Sequence, residues 1–523
     1  MNICKKTVIV ITFLFSGFIA SAQQLPNWQN MDLGKDSVFG ISVEKAYTEL
    51  LKDKKSKPVV VAIIDSGLDT AHEDLKSKLW VNLKEKAGNG KDDDKNHYAD
   101  DINGWSFLGS SKGNVNYDNL EITRLIRQQQ AKFGSLNSVP KDTVGLYQYQ
   151  QMRVKYDQQL MEAQQTLKGI GRFVQILDTM LVHMNNRNPS AADLEAYSTT
   201  DPAELQVKQV IGEQLSRYPD FKAFKEKELQ GAIDHFKEQV DYQLNLEYDP
   251  RSIVGDNYNN PDEHFYGTGD VTGPGADHGT HVAGIIGASR NNSIGINGIA
   301  ENVQLMSVRA VPNGDERDKD VANAIRYAVD NGAKVINMSF GKPYSPNKKV
   351  VDEAVQYAMS KDVLLIHAAG NDGENLDSSV FYPNRIYMDN KGVANAWIEV
   401  GASGPSDDET LVAPFSNYSS TIVDVFAPGV AIYSSTPGSK YDYHDGTSMA
   451  APVVAGLASL IRSYYPKLNA VQVKEIILKS VTKVDHPVTI FVNGEPKQVK
   501  MLDVCNTGGV VNAYSALKLA STY

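Results

Sequence analysis

Hydrophobic positions along the chain follow two different rhythms. From Pro58 to Ile64 the sequence reads PVVVAII, a continuous, largely β-branched run closed by Asp65, Ser66 and Gly67. Similar runs recur at Val303 to Val311, Lys334 to Met338, Val363 to Ala368 and Trp397 to Val400. A run apolar at every position predicts a strand buried on both faces. Helical spacing fills the intervals, as from Asp318 to Asn331 and from Val350 to Ser360. The alternation predicts a three-layer α/β fold, a parallel β-sheet with helices on both faces. In such sheets functional loops sit at the carboxyl ends of the strands. Asp65 closes one run, and Ser339 and Asn371 follow the ends of two others.

The second rhythm is purely helical. Between about 119 and 248 strand signal is scarce. Tyr149, Met152, Tyr156, Leu160, Ala163, Leu167, Ile170, Val174, Leu177 and Leu181 recur at steps of three or four, one stripe of a long amphipathic helix. Asp201-Pro202-Ala203-Glu204 offers an N-cap, a proline at the first helical position and a capping-box glutamate. Ile233, Phe236, Val240 and Leu244 make a further stripe behind Phe221 and Phe224. An all-α insertion over 119–248 is therefore expected to interrupt a sheet domain made of 58–118 and 249–523.

Composition narrows the setting. Of 523 residues 41% are hydrophobic and 22% charged, an ordinary globular balance, and the net charge of -11 argues against a nucleic-acid partner. Lys5 and Lys6, the apolar run Val8 to Ile19 and the small residues Ala20-Ser21-Ala22 read as a signal peptide over 1–22, followed by an extension over 23–57. Export to a periplasmic or extracellular location is expected. No later stretch is long and apolar enough for a transmembrane anchor. With Cys4 in the leader, Cys505 is left alone and no intrachain disulfide is expected. A monomer is expected.

Three short segments carry candidate chemistry: Asp65-Ser66-Gly67-Leu68-Asp69, His278-Gly279-Thr280-His281-Val282-Ala283-Gly284, and Gly446-Thr447-Ser448-Met449-Ala450-Ala451-Pro452. Amide hydrolysis by serine needs a base for the hydroxyl proton, an acid to orient that base, and donors for the oxyanion. Each segment alone is weak. Asp65 reads equally as a turn residue, Ser448 as a helix cap, and His278 with His281 as a metal pair, although Gly279 between them and the lack of a nearby third ligand argue against the last.

Together, and in the order Asp, His, Ser, these segments resemble the subtilisin-like serine proteases (subtilases, peptidase S8 family) over about Pro58 to Asp69 and Asp277 to Ala516. The resemblance implies an exported serine endopeptidase with Asp65 as orienting acid, His278 as general base and acid, and Ser448 as nucleophile. It implies Asn371, in Ala368-Ala369-Gly370-Asn371, as an oxyanion donor; by itself Asn371 reads as a turn residue. Ser339-Phe340-Gly341 is similar to the family's strand that pairs with an extended polypeptide substrate. Gly341 and Gly370 would flank the pocket for the residue before the cut. Phe381, bulkier than the glycine familiar from subtilisin, is expected to shorten or reshape that pocket. His281 is expected to be structural.

The resemblance also implies a structural calcium ion (Ca2+), with no cofactor for catalysis. Asn292 would give its side-chain oxygen and Arg290, Ile294 and Ile296 their carbonyls, with a carboxylate from Asp100 or Asp101, of which Asp101 is the chosen candidate. The acidic stretch Asp92-Asp93-Asp94 reads as a second calcium loop or as a solvated turn. Two features depart from the family pattern: the long helical block ahead of His278, and a segment Gln23 to Lys57 too short for the usual pro-domain. The competing reading is a catalytically silent subtilase fold that binds peptides or supports assembly.

Overall fold

The computed structural model describes residues 25–134, 141–215, 218–388 and 391–523, and the signal-peptide reading of residues 1–22 lies outside them. The described chain divides into a sheet unit, Leu25–Glu121 with Pro250–Tyr523, and a helical unit, Ile122–Asp249.

The sheet unit's main strands are β1 (Val59–Asp65), β2 (Gly104–Ser106), β3 (Val303–Arg309), β4 (Val335–Met338), β5 (Leu364–Ala368), β6 (Trp397–Ser403), β7 (Val425–Pro428), β8 (Ile432–Thr436), β9 (Lys440–His444), β10 (Thr482–Lys483) and β11 (Gly509–Val510), beside two small hairpins, Gly109–Ser110 with Gly113–Asn114 and Val488–Val492 with Glu495–Val499. Nine of them form one sheet in the order β10-β11-β7-β6-β5-β4-β1-β3-β2, while β8 and β9 make a separate hairpin. Every neighbouring pair in the large sheet is parallel except β10 with β11. The unbroken apolar run of β1 follows from its position: Val61 and Ile63 point into one core, Ala62 and Ile64 into the other. The first core is covered by α1 (Asp277–Gly287) and α4 (Thr447–Tyr464), the second by α2 (Asp318–Asp330) and α3 (Lys348–Ser360). Apolar on nearly all sides, α4 is almost wholly buried. Burying each of its Val and Leu side chains contributes about 1.5–3 kcal/mol. The three-layer fold expected from the alternation is thus present. The edge elements β2, β10 and β11 and the hairpin β8–β9 are additions that the apolar runs do not announce.

The helical unit contains Glu121–Phe133, entered from the sheet unit, then Thr143–His183, Ala191–Ala196 and Pro202–Leu215, and a stretch over 221–243 that mixes α and π turns. The Tyr149-to-Leu181 stripe lies on Thr143–His183, a helix of 41 residues. Ile170, Phe173, Leu177, Met180, Val207, Ile211, Phe224 and Leu229 form its core. Asp201 caps as its sequence predicts, accepting from the Ala203 N–H at 2.7 Å. Glu204 does not close a capping box. Its carboxylate turns inward to the hydroxyls of Tyr197 and Thr199, both at 2.7 Å, and to His183 Nδ1 at 2.8 Å. Charge-assisted bonds of that kind are stronger than the exposed cap they replace.

Candidate active site

The site is built at the carboxyl ends of β1, β4 and β5 and at the start of α4. Asp65 is the last residue of β1 and is buried. Its Oδ1 accepts from the Ser66 N–H at 2.7 Å and from His278 Nδ1 at 2.8 Å. His278 is the second residue of α1, and the helix reaches the strand end because Gly279 has no side chain. A Cβ there would lie 2.1 Å from the Gly67 carbonyl oxygen and 3.1 Å from Asp65 Cβ. Gly67 itself needs φ of +133°, a conformation that side chains strain. Since a carboxylate only accepts, the proton of the His278 ring sits on Nδ1 and Nε2 keeps its lone pair. Burial pulls the His278 pKa down, but the charge and hydrogen bond of Asp65 outweigh it, and the pKa ends above the usual histidine value.

Ser448 is the second residue of α4, where backbone N–H groups lack partners within the helix. Its Oγ donates to the Ser339 carbonyl at 3.1 Å, and Ser339 Oγ donates back to the Ser448 carbonyl at 2.8 Å. Asn337, on β4, donates to Ser339 Oγ at 2.9 Å. These bonds hold the start of α4 against the end of β4. Among the described residues no hydrogen bond joins Ser448 Oγ to His278, an arrangement common before substrate binds. Asn371 Oδ1 accepts from both the N–H and the Oγ1 of Thr447, each at 2.9 Å. Of its two amide atoms, Nδ2 is the one nearer the side-chain-free face of Gly446. A Cβ placed on Gly446 would lie 3.5 Å from both Asn371 Nδ2 and the Ser448 nitrogen, so the two donors flank one bare spot.

His281 is fully buried and stacks on His444, with centroids 4.0 Å apart. Burial and the neighbouring imidazole push its pKa down to about 2. It is a neutral packing group whose Nε2 lies 3.2 Å from the Asp442 carbonyl, not half of a metal pair with His278.

Phe340 is nearly buried, and its carbonyl accepts from His367 Nε2 at 2.9 Å. Gly341 and Gly370 both face the Phe381 ring. A Cβ on Gly341 would lie 2.3 Å from that ring, and one on Gly370 would lie 2.4 Å from Asn417 Nδ2 and 3.2 Å from the ring. The structure therefore places Phe381 between the two glycine walls.

Arg290, Asn292, Ile294 and Ile296 lie on one loop, which is curled by left-handed residues at Asn291, Ser293 and Gly295. The carboxylate that meets it is Asp74, 2.6 Å from the Asn292 amide. Asp101 is a correction to the sequence expectation. It bonds Asn82, Asn96 and Tyr327, whose ring belongs to the core under α2, whereas Ile296 packs in the core on the other face of the sheet. Burial raises the Asp101 pKa to about 6. Asp74, missed by sequence reasoning, stands only nine positions beyond Asp65, in the same loop. Gln29 was missed as well. It is fully buried, and both its amide atoms lack a partner among the described residues, while the adjacent Asn30 donates to the Asn297 carbonyl at 2.8 Å. Carboxylate oxygens of Glu85, Asp92 and Asp94 lie within 4.8 Å of one another, but much of that turn's acidity is spent on its own backbone N–H groups.

The sequence profile of the subtilase family matches residues 56–494. Among curated proteins, the thermophilic serine proteinase of Bacillus sp. (strain AK1) is 41% identical over 218 residues, which are 42% of this chain and 50% of that protein. Subtilisin BL of Lederbergia lenta is 39% identical over 40% of this chain and 72% of its own length. Subtilisin E of Bacillus subtilis (strain 168) is 40% identical over 40% of this chain and 51% of its own. The matched segments thus span only about half the length of two of these three relatives.

Proposed function

Because this chain belongs to the subtilase family, we propose that it is a serine endopeptidase acting through Asp65, His278 and Ser448. The observation that carries the reading is the 2.8 Å bond from His278 Nδ1 to the buried Asp65, which leaves Nε2 as a base. Rotation of Ser448 Oγ away from Ser339 presents its proton to that nitrogen. The oxygen then attacks the scissile carbonyl, and the Ser448 N–H and Asn371 Nδ2 take the oxyanion. The imidazolium, stabilised by Asp65, returns its proton to the leaving amine. Water, deprotonated by the same nitrogen, releases the acyl group and restores the hydroxyl. Substrate lies extended along Ser339-Phe340-Gly341, so that recognition is mainly of its backbone. Export through residues 1–22 belongs to the same reading.

We further propose that calcium is held by Asp74, Asn292 and the carbonyls of Arg290, Ile294 and Ile296, with Gln29 as a further oxygen donor. The donor set is all oxygen, as a hard cation requires. Asp74 suits the role because it is buried against the loop, and that burial outweighs its hydrogen bonds and the nearby His72 to leave its pKa raised. Calcium would neutralise that carboxylate and stiffen the loop, with no part in the chemistry. At a concentration 100 times its Kd it would add about 2.7 kcal/mol of stability. A melting temperature unmoved by a strong chelator would remove this proposal.

The catalytic reading is tested by hydrolysis of an unfolded protein. Replacement of Ser448 by alanine should lower kcat about 10⁶-fold, the size known for the corresponding change in subtilisin. Equal cleavage by the Ser448→Ala chain would leave only the silent peptide-binding alternative.

A further inference from the structure

The Phe381 ring fills a slot that Gly341 and Gly370 leave open beside Ser448. One wall, Ser339 to Gly341, is tied to Ser448 through Ser339. The other wall is tied to the residue before Ser448, for the Gly370 N–H donates to Thr447 Oγ1 at 3.1 Å. Two bare backbones so placed would admit a flat side chain between them, and the chain supplies its own.

The ring is half-buried and backed on its inner side by a bonded network. Behind it lies His367, fully buried, with ring centroids 5.9 Å apart. That imidazole is fixed between Glu399 at 2.7 Å and the Phe340 carbonyl at 2.9 Å, and Trp397 donates to the other oxygen of Glu399 at 2.8 Å. The backbone next to the ring is clamped as well. Tyr382 and Lys342 exchange both N–H to carbonyl bonds at 2.9 Å, and the buried Lys342 Nζ pairs with Glu121 and Asp318, each at 2.9 Å. Displacing Phe381 would disturb a paired buried lysine and a bonded buried histidine, both costly to leave unpaired.

We propose that Phe381 restricts this chain to cutting after small residues: glycine, alanine or serine. The inference rests on the serine-endopeptidase reading and names the substrate class for it. A methyl or hydroxymethyl group reaches only the mouth of the slot, while a leucyl or benzyl group must occupy the volume the ring holds. One methylene in an apolar pocket changes selectivity by about 10–200-fold, so a whole phenyl group should cost at least about 100-fold in kcat/KM.

The test is a peptide series identical except for Gly, Ala, Ser, Leu or Phe before the scissile bond, with the cut position read by mass spectrometry. It runs beside inactivation by two aminoalkyl phosphonate esters, one bearing a methyl and one a benzyl group. The expected result is Ala at least about 100-fold above Phe, faster inactivation by the methyl ester, and a rise of about 10–200-fold for Phe in Phe381→Gly. Cleavage after Phe or Leu within threefold of Ala by the unmodified chain overturns the inference, whether or not the variant folds. Phosphonate inactivation with such a flat profile overturns it alone. If neither peptides nor phosphonates react, the endopeptidase reading fails and this inference falls with it.

Discussion

The two units each contain a histidine whose Nδ1 lies 2.8 Å from a carboxylate: His278 with Asp65 in the sheet unit, His183 with Glu204 in the helical unit. Distance alone does not separate them; the surroundings do. Glu204 has both oxygens engaged, one by the hydroxyls of Tyr197 and Thr199 and one by His183. Those hydroxyls hold its pKa below the usual glutamate value. Asp65 has a buried second oxygen with no partner among the described residues. The strand ends of the same sheet unit also carry Ser448 at a helix start and Asn371, whose amide flanks the bare spot at Gly446. A buried polar group with every bond made is architecture, whereas one left unmade at the junction of several loops is a place where chemistry is expected.

Several substitutions sharpen that contrast, and the largest effect belongs to the first pair. Asp65→Asn should lower kcat about 10⁴-fold, the size seen when such an acid is neutralised. Glu204→Gln should leave kcat/KM within twofold. Comparable losses in both, measured on one peptide substrate, would erase the distinction. The pH profile separates them further. A neutral His278 is the active form, and Asp65 holds its pKa above the usual 6.5, so activity should fall as pH drops through a value above 6.5. Asp65→Asn removes the stabilising charge and should move that acid limb downward in whatever activity remains.

Next in size is Asn371→Ala, which removes one oxyanion donor and should cost about 10²–10³ in kcat with KM little changed, the range known from subtilisin. A change in KM alone would make Asn371 a binding residue. In the helical unit, Leu177→Ala should cost about 2–5 kcal/mol in that unit's unfolding, because Leu177 is only 1% exposed in its core. The same variant should keep kcat/KM within twofold below its melting transition. A large loss of activity in the folded protein would show that the helical unit is part of the catalytic apparatus.

What was legible beforehand follows the same division. Strands buried on both faces announce themselves as unbroken apolar runs, and β1, β3, β4, β5 and β6 were readable for that reason. The short edge strands β10 and β11 carry no such run. Thr143–His183 was readable from its stripe, but the inward turn of Glu204 was not. A capping box is a local pattern, while the pull of Tyr197 and His183 is tertiary. At the site, Asp65, His278 and Ser448 sit in short motifs dense in glycine, which exist because helix and strand must approach to within a few ångströms. Asp74 had no comparable marker, and the carboxylate chosen in its place, Asp101, proved to serve Tyr327 on the opposite face of the sheet. Gln29 could not be singled out at all, since an unpartnered buried amide is visible only once the chain is folded.

Covalent labelling tests the central claim most directly. The full chain is treated with a fluorophosphonate across a pH series, and the modified residue is located by peptide mass spectrometry. The account predicts one label, on Ser448, forming more slowly as pH falls through the raised His278 pKa and much more slowly in Asp65→Asn. Absence of label on Ser448, or labelling at a rate independent of pH and of Asp65, would contradict it.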